Sequence, residues 1–440
     1  MIRTRNHLDQ EEQVWWLHPI AIFVGLNGLT GVAAMLADPD VYLKMWRTPK
    51  YFGGYAMVLT AAILIAFSAG VWLARSKQSG YSSTTEWRGV VSLSQTLMLF
   101  NVSFWICVMG YAFWVGIGLS RGLGMAALRA VFVRGEEVYW FRTFLQTIPG
   151  VTTCTQFGIA AVVLGCLIGA GGKWNLVRRK LAILLFLALV RALIYSERLA
   201  FLELAIPFMV LRLAEPASWK ENRSLRTLVR VAPILGPAAV YVIFTGFEYV
   251  RSWSIYYSSQ ESSLLLFGFW RLVGYYVTSL NNTSFLLTRW HHSLAAPYFS
   301  LRFLWEFPGV NVVVKNIFSW VPLDYDRFMG LLAFGANPEF NNWGGLLAPV
   351  VDFGVLGGLA YWVLMGLVTG HLYELFLRKH PLGMCMYPVI YLALTEVPRY
   401  LYWSEGRAFP ALSFLLLSSF LLLRSATLYR PAPQYEFSIE

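Results

Sequence analysis

Residues 191–207 read RALIYSERLAFLELAIP, and the reading of this stretch governs the rest of the chain. It sets Arg191, Glu197, Arg198 and Glu203 among long apolar runs. A charge in a membrane core costs several kcal/mol unless it is paired or faces water. Four of them within thirteen residues therefore need an explanation. The apolar tracts on either side of the tip, 181–195 and 199–213, are fifteen residues each. That is about 22 Å of helix, short of the roughly 20 residues that span a bilayer. The spacing predicts a short helical hairpin over 181–213 whose tip, Ser196–Arg198, lies below the membrane surface in a wet cavity. Arg191 precedes Glu197 by six residues and Glu203 follows it by six, so pairing across the hairpin is expected. Two readings stand: a buried structural ion pair, or a polar site opening to one side of the membrane.

Composition puts the hairpin in context. Hydrophobic residues make up 57% of the 440 and charged residues 13%, against about a quarter charged in soluble domains. The expected fold is an all-α polytopic membrane bundle of about ten (10–12) transmembrane helices. Ten spans are predicted, at about 14–36, 52–74, 94–120, 151–172, 181–195, 199–213, 228–249, 345–369, 384–402 and 409–424. The N-terminal set, 1–250, includes the charged hairpin. A long loop follows at 251–344, and C-terminal spans fill 345–440. The loop is expected to form short helices that lid a cavity. Segment 121–150, with Arg121, Arg129, Arg134 and Arg142 among apolar residues, is expected to lie along the interface. The four cysteines, Cys107, Cys154, Cys166 and Cys385, lie in apolar runs, so neither a disulfide nor a metal site is expected. The polar start MIRTRNHLDQEEQ resembles a cytoplasmic tail more than a cleaved signal peptide.

Orientation follows from the tight turns. KWNLVRRK at 173–180 carries four positive residues in eight, and 212–230 carries five. Placing these inside puts both termini in the cytoplasm and the long loop outside. The outside set then holds 13 Arg and only 3 Lys. Guanidinium grips phosphate oxygens in bidentate fashion and keeps its charge, so the bias suits an anion site, although arginine also favours interfaces generally.

Four groups converge on the outer face. The first is the hairpin tip with Glu197 and Arg198. FEYVRSW at 247–253 places Glu248 one helical turn before Arg251. RLVGYYVTSLNN at 271–282 aligns Arg271, Tyr275 and Ser279 on one helical face and ends in Asn281 and Asn282. EVPRYLYWSEGR at 396–407 contributes Glu396, Arg399, Glu405 and Arg407. Each group alone is adequately explained as an interfacial anchor or local ion pair. Together they predict a site. Arginines would hold and stabilise a departing lipid diphosphate, here Arg191, Arg198, Arg251, Arg271, Arg399 and Arg407. Tyr275, Asn281 and Asn282 would meet sugar rings. A carboxylate among Glu197, Glu248, Glu396 and Glu405 would accept a proton from an attacking hydroxyl. Glu248 and Glu405 lie within three residues of Arg251 and Arg407, where ion pairing is an adequate account, and Glu396 is one turn from Arg399, so Glu197 is favoured as the most deeply placed. That chemistry is glycosyl transfer, with arginine in the place of a metal ion and no cofactor expected.

The succession SERLAFLELAIP, FEYVRSW, RLVGYYVTSLNN and NNWGGLLAPVVDFGVLGGLAYWVLMGLVTGHLYE, over roughly residues 145–410, resembles the oligosaccharide repeat-unit polymerases of bacterial surface polysaccharides (the Wzy type). The resemblance implies a GT-C-like bundle in the bacterial inner membrane with a large periplasmic loop. It implies an undecaprenyl-diphosphate-linked oligosaccharide as substrate, polymerised on the periplasmic face into O-antigen or exopolysaccharide. A chain-length regulator and a flippase are the further partners it implies, and nucleic acid is not one. The family's periplasmic arginines map onto Arg198, Arg251, Arg271 and Arg399. The paired Arg-x10-Gly loops of some members are not evident, since Arg251 and Arg271 lack a glycine eleven residues on.

Two rival readings share parts of this pattern. An O-antigen ligase would need the same diphosphate site, and His291 and His292 would fit one that uses a periplasmic histidine. A secondary transporter would show inverted repeats and broken spans near the midplane, whereas the polar groups here gather at one face.

Overall fold

The computed structural model describes residues 14–76, 92–124, 144–195, 198–215, 219–249, 252–253, 257, 263–289, 297–317 and 325–428. The described residues are helical, with no strand among them. The N-terminal elements are α1 (Pro19–Leu36), α2 (Pro39–Trp46), α3 (Gly54–Ser76) and α4 (Leu93–Ser120). Next come α5 (Val151–Cys154), α6 (Phe157–Ile168), α7 (Trp174–Tyr195), α8 (Leu199–Leu213) and α9 (Arg223–Glu248). The long loop contributes α10 (Leu264–Arg289), α11 (Arg302–Glu306), α12 (Val310–Ile317) and α13 (Tyr325–Gly335). The chain closes with α14 (Ala348–Leu377), α15 (Pro381–Glu396) and α16 (Phe409–Leu428).

Helices lie in all ten expected apolar segments, but the ninth ends at Glu396 and not at 402. Six stretches of the described residues are long and apolar enough to cross a membrane: Pro19–Leu36, Gly54–Arg75, Leu93–Ser120, Val151–Tyr195, Arg223–Glu248 and Ala348–Leu377. Leu36, Ile65, Ile234 and Leu356 stand exposed on their outer faces, as large apolar side chains do where lipid is the solvent. Local chemistry sets the helix starts. Asn222 Oδ1 accepts from the backbone N–H of Ser224 and Leu225, and His18 and His380 cap helices that begin with proline.

The connections sort to the two ends of the bundle. At one end Arg75 approaches Glu374, Tyr387 donates to the Leu17 carbonyl, and Trp16 donates to that of Val229. At the other lie the α1–α3 connection, the α7–α8 tip, the α9–α10 region and the α15–α16 connection. Helices α6 and α15 run through the interior, buried along nearly their whole length. Gly366 and Gly370 act in packing. A Cβ on Gly366 would collide with the Phe67 carbonyl and one on Gly370 would lie 2.9 Å from Val71 Cα, so α14 crosses α3 backbone to backbone.

Two expectations are corrected. The upstream arm of the hairpin is not short: α7 begins at Trp174 and runs 22 residues, about 33 Å. Counting apolar residues alone missed the charged turns of KWNLVRRK, where Lys180 Nζ reaches Asn101 Oδ1 at 2.6 Å. The long loop is also more than a set of short helices. Helix α10 spans 26 residues, fifteen of them buried, because its Thr, Ser and Asn side chains bond to backbone instead of facing water. Segment 125–143, expected at the interface, lies outside the described residues.

Candidate functional site

A cavity of about 430 Å³ opens at the end of the bundle that carries the hairpin tip. Four guanidiniums, of Arg198, Arg302, Arg399 and Arg407, and two carboxylates, of Glu396 and Glu405, are on its wall. Leu199, Leu202, Val240, Phe244 and Leu272 line the side formed by α8, α9 and α10. The site is therefore amphiphilic, cationic on one side and apolar on the other.

Each arginine is delivered by a different device. Arg198 caps the start of α8, where α10 and the α15–α16 connection close over it. Burial by these neighbours, more than the shortness of the hairpin arms, desolvates Arg198. Arg399 and Arg407 sit on the α15–α16 connection, which the sequence NNWGG buttresses from behind. The Gly344 and Gly345 N–H groups donate to the Arg399 and Val397 carbonyls at 2.8 and 2.9 Å. Gly344 has φ +62°, and a Cβ on Gly345 would lie 2.6 Å from the Tyr400 backbone. Only glycine fits both demands. Arg302 rides on α11. The segment leading into α11 is pinned by Asp352, whose carboxylate accepts the Phe299 and Ser300 N–H groups at 3.3 and 2.6 Å. Ser404 Oγ holds the Phe299 carbonyl at 2.9 Å.

The electrostatics separate Arg198 from the other three. Arg399 pairs with Glu396 at 2.8 Å, Arg407 with Glu203 at 2.7 Å, and Arg302 with Glu306 at 2.7 Å and Glu405 at 3.2 Å. Arg198 has no carboxylate partner among the described residues. Its guanidinium lies 3.7 Å from the centre of the Phe244 ring and 5.6 Å from that of Tyr275. Burial, and then the like charge of Arg399, draw it below the ordinary arginine range to about 10. It stays charged at neutral pH, where an anion would relieve both causes. Trp343 also lines the cavity, with Arg302 stacked 4.2 Å from its ring centre, and its buried indole N–H has no acceptor among the described residues.

Of the expected site residues, Arg198, Tyr275, Glu396, Arg399 and Arg407 line the cavity. Others do not. Arg191 donates to Thr155 Oγ1 at 2.5 Å and lies 5.9 Å from the Trp114 ring centre. Glu203 is taken by Arg407 and by the Tyr402 hydroxyl, so the expected cross-hairpin partners go elsewhere. Arg271 and Glu248 form a separate buried cluster. Arg271 is 3.5 Å from Glu248 and 2.8 Å from Glu339, and Ser252 donates to Glu248 at 3.2 Å. Asn281 accepts from the Tyr51 and Phe52 N–H groups and donates to the Pro49 carbonyl. Asn282 donates to the Phe340 and Asn342 carbonyls at 2.7 and 2.8 Å. Both asparagines hold loops, and neither faces the cavity, because α10 buries them. Glu197, Arg251, His291 and His292 lie outside the described residues.

Among the described residues no cluster of three or more His, Cys, Asp or Glu side chains is placed to hold a metal ion. The chain does contain two Asp-x-Asp spacings, Asp38–Asp40 and Asp324–Asp326. The first caps α2 and pairs with Lys44, and Asp324 lies outside the described residues. The first pair does not line the cavity.

The sequence reading passed over Arg302, Tyr276, Asn341, Asn342 and Trp343. The NNWGG glycines were the available signal for the last three: two adjacent glycines after a tryptophan mark a close backbone approach. No protein-family model, no curated protein and no solved structure matches the chain.

Proposed function

We propose that this chain is a polyprenyl-diphosphate-dependent glycosyltransferase of a bacterial inner membrane. It would polymerise undecaprenyl-diphosphate-linked repeat units into O-antigen or exopolysaccharide, with both termini cytoplasmic and the cavity facing the periplasm. One observation carries the reading. Arg198 is a largely buried guanidinium with no carboxylate partner among the described residues, set where a cationic wall meets an apolar one. A lipid diphosphate matches that junction, with its head among Arg198, Arg302, Arg399 and Arg407 and its prenyl chain against Leu199, Leu202, Val240 and Phe244. In transfer, the bond between the anomeric carbon and the phosphate oxygen breaks, and charge collects on the departing diphosphate. Preorganised guanidiniums stabilise that charge. The arginines already held by Glu203, Glu306, Glu396 and Glu405 are fixed in place, so little reorganisation accompanies the reaction.

Deleting the gene from its host tests the assignment. A polymerase predicts that lipid-linked glycan accumulates as a single repeat unit. Full-length polymer stranded on the carrier lipid would point to a ligase, and an unchanged glycan profile would reject both.

A further inference from the structure

The cavity holds two carboxylates, and their surroundings differ. Glu396 faces one guanidinium in a one-to-one pair, Arg399 at 2.8 Å. Glu405 shares its guanidinium. Arg302 Nε lies 2.7 Å from Glu306 Oε1, while Arg302 Nη1 contacts both Glu405 oxygens at the longer distance of 3.2 Å. Two carboxylates thus draw on a single arginine, and the closer contact belongs to Glu306, which is not on the cavity wall. Tyr298 adds its hydroxyl to Glu306 at 2.5 Å. The other charged or titratable groups facing Glu405 are Arg407, committed to Glu203 at 2.7 Å, and Tyr400 on its own connection. Glu405 therefore combines a place on the cavity wall, a side chain only 13% exposed, and incomplete neutralisation.

We propose that Glu405 is the proton acceptor of the transfer reaction, receiving the proton of the acceptor sugar hydroxyl; the inference rests on the glycosyltransferase reading above. As the hydroxyl oxygen bonds to the anomeric carbon of the donor, its proton passes to a Glu405 oxygen. The anomeric carbon–oxygen bond to phosphate breaks, and its electron pair leaves with the polyprenyl diphosphate held by the arginines. Arg302 then bridges the two halves of the reaction, with one edge on Glu405 and its face on Trp343. Burial, opposed by Arg302 and reinforced by Glu306, lifts the Glu405 carboxyl above the ordinary carboxylate range. The base form is consequently lost on acidification at a higher pH than for a solvated glutamate, so the rate falls on the acid side through that lifted value.

The test uses the full-length protein in lipid nanodiscs, with a lipid-linked repeat unit as both donor and acceptor. Wild type should show an acid limb in its rate. Glu405→Gln should lose about 10²- to 10⁴-fold in turnover, the usual contribution of a positioned base, and should lose the limb while donor affinity is unchanged. Glu306→Gln removes the competing charge without touching the cavity, and should move the limb to lower pH. Near-normal turnover and an unmoved limb in Glu405→Gln would overturn the proposal, as would an unmoved limb in Glu306→Gln. Absence of transfer by wild type would overturn the glycosyltransferase reading and this one with it. The two failures are distinct, because only the first leaves an active enzyme.

Discussion

Arg198 and Arg271 both lie near Tyr275, their guanidinium carbons 5.6 and 5.9 Å from its ring centre, and their surroundings differ. Arg271 is buried between Glu248 and Glu339, with its charge fully spoken for. Arg198 rests on Phe244 and opens into the cavity with no carboxylate among the described residues. The same residue type, beside the same ring, is held between two carboxylates in one place and lines the cavity in the other. Partner count separates the roles, where sequence shows only two arginines in aromatic surroundings.

The comparison breaks most readily by substitution at Arg271. Glu248 is 1% exposed, so Arg271→Ala breaks a buried ion pair by removing one partner, a loss of ~3–5 kcal/mol. That is a large share of the ~5–15 kcal/mol that holds a domain together. The amount of folded protein in the membrane should drop sharply, as seen by detergent-solubilised yield and thermal unfolding. Arg271→Ala at wild-type level and stability would show that the cluster is not a lock.

Arg198→Ala should invert this pattern. It strands no carboxylate among the described residues, so protein level and melting temperature stay near wild type. Turnover falls about 10²- to 10³-fold, the scale of removing one preorganised donor from a developing anion. Arg198→Lys should fail nearly as badly, because an ammonium cannot offer the planar fork. Full-length polymer from Arg198→Ala cells would remove this arginine from the mechanism.

A smaller effect sharpens the boundary between site and scaffold. Asn281 satisfies two backbone N–H groups and one carbonyl of the segment before α3. Asn281→Ala should cost ~1–3 kcal/mol for the buried groups it strands, measured as a lower melting temperature, while turnover per folded molecule is unchanged. A selective loss of turnover would place Asn281 in the site instead.

These contrasts also mark how far sequence reading reaches. Helix positions were legible because lipid-exposed helices are long apolar runs. The exception is α10, whose Thr278, Ser279, Asn281, Asn282, Thr283 and Ser284 look like loop residues until their backbone partners are known. Besides Glu405, five of the twelve other expected site residues line the cavity, chiefly those at helix ends, where hydropathy fixes depth. Pairing was not legible. Sequence proximity assigned Glu405 to Arg407, yet Arg407 turns to Glu203 on α8 and Glu405 meets Arg302, 103 residues away. Arg302 itself carried no periodic or motif signal, since the short segment Tyr298–Arg302 takes its shape from Asp352 and Ser404.

The central claim is that the cavity is an anion seat for a lipid diphosphate with Arg198 at its junction. Its most direct test is equilibrium binding of undecaprenyl diphosphate, without any sugar, to purified wild-type protein and to Arg198→Ala. The account predicts saturable binding by wild type and a loss of about 10- to 100-fold in affinity in the variant, the worth of one charge-assisted hydrogen bond. Equal affinity in the two proteins, at equal folded amount, would contradict it.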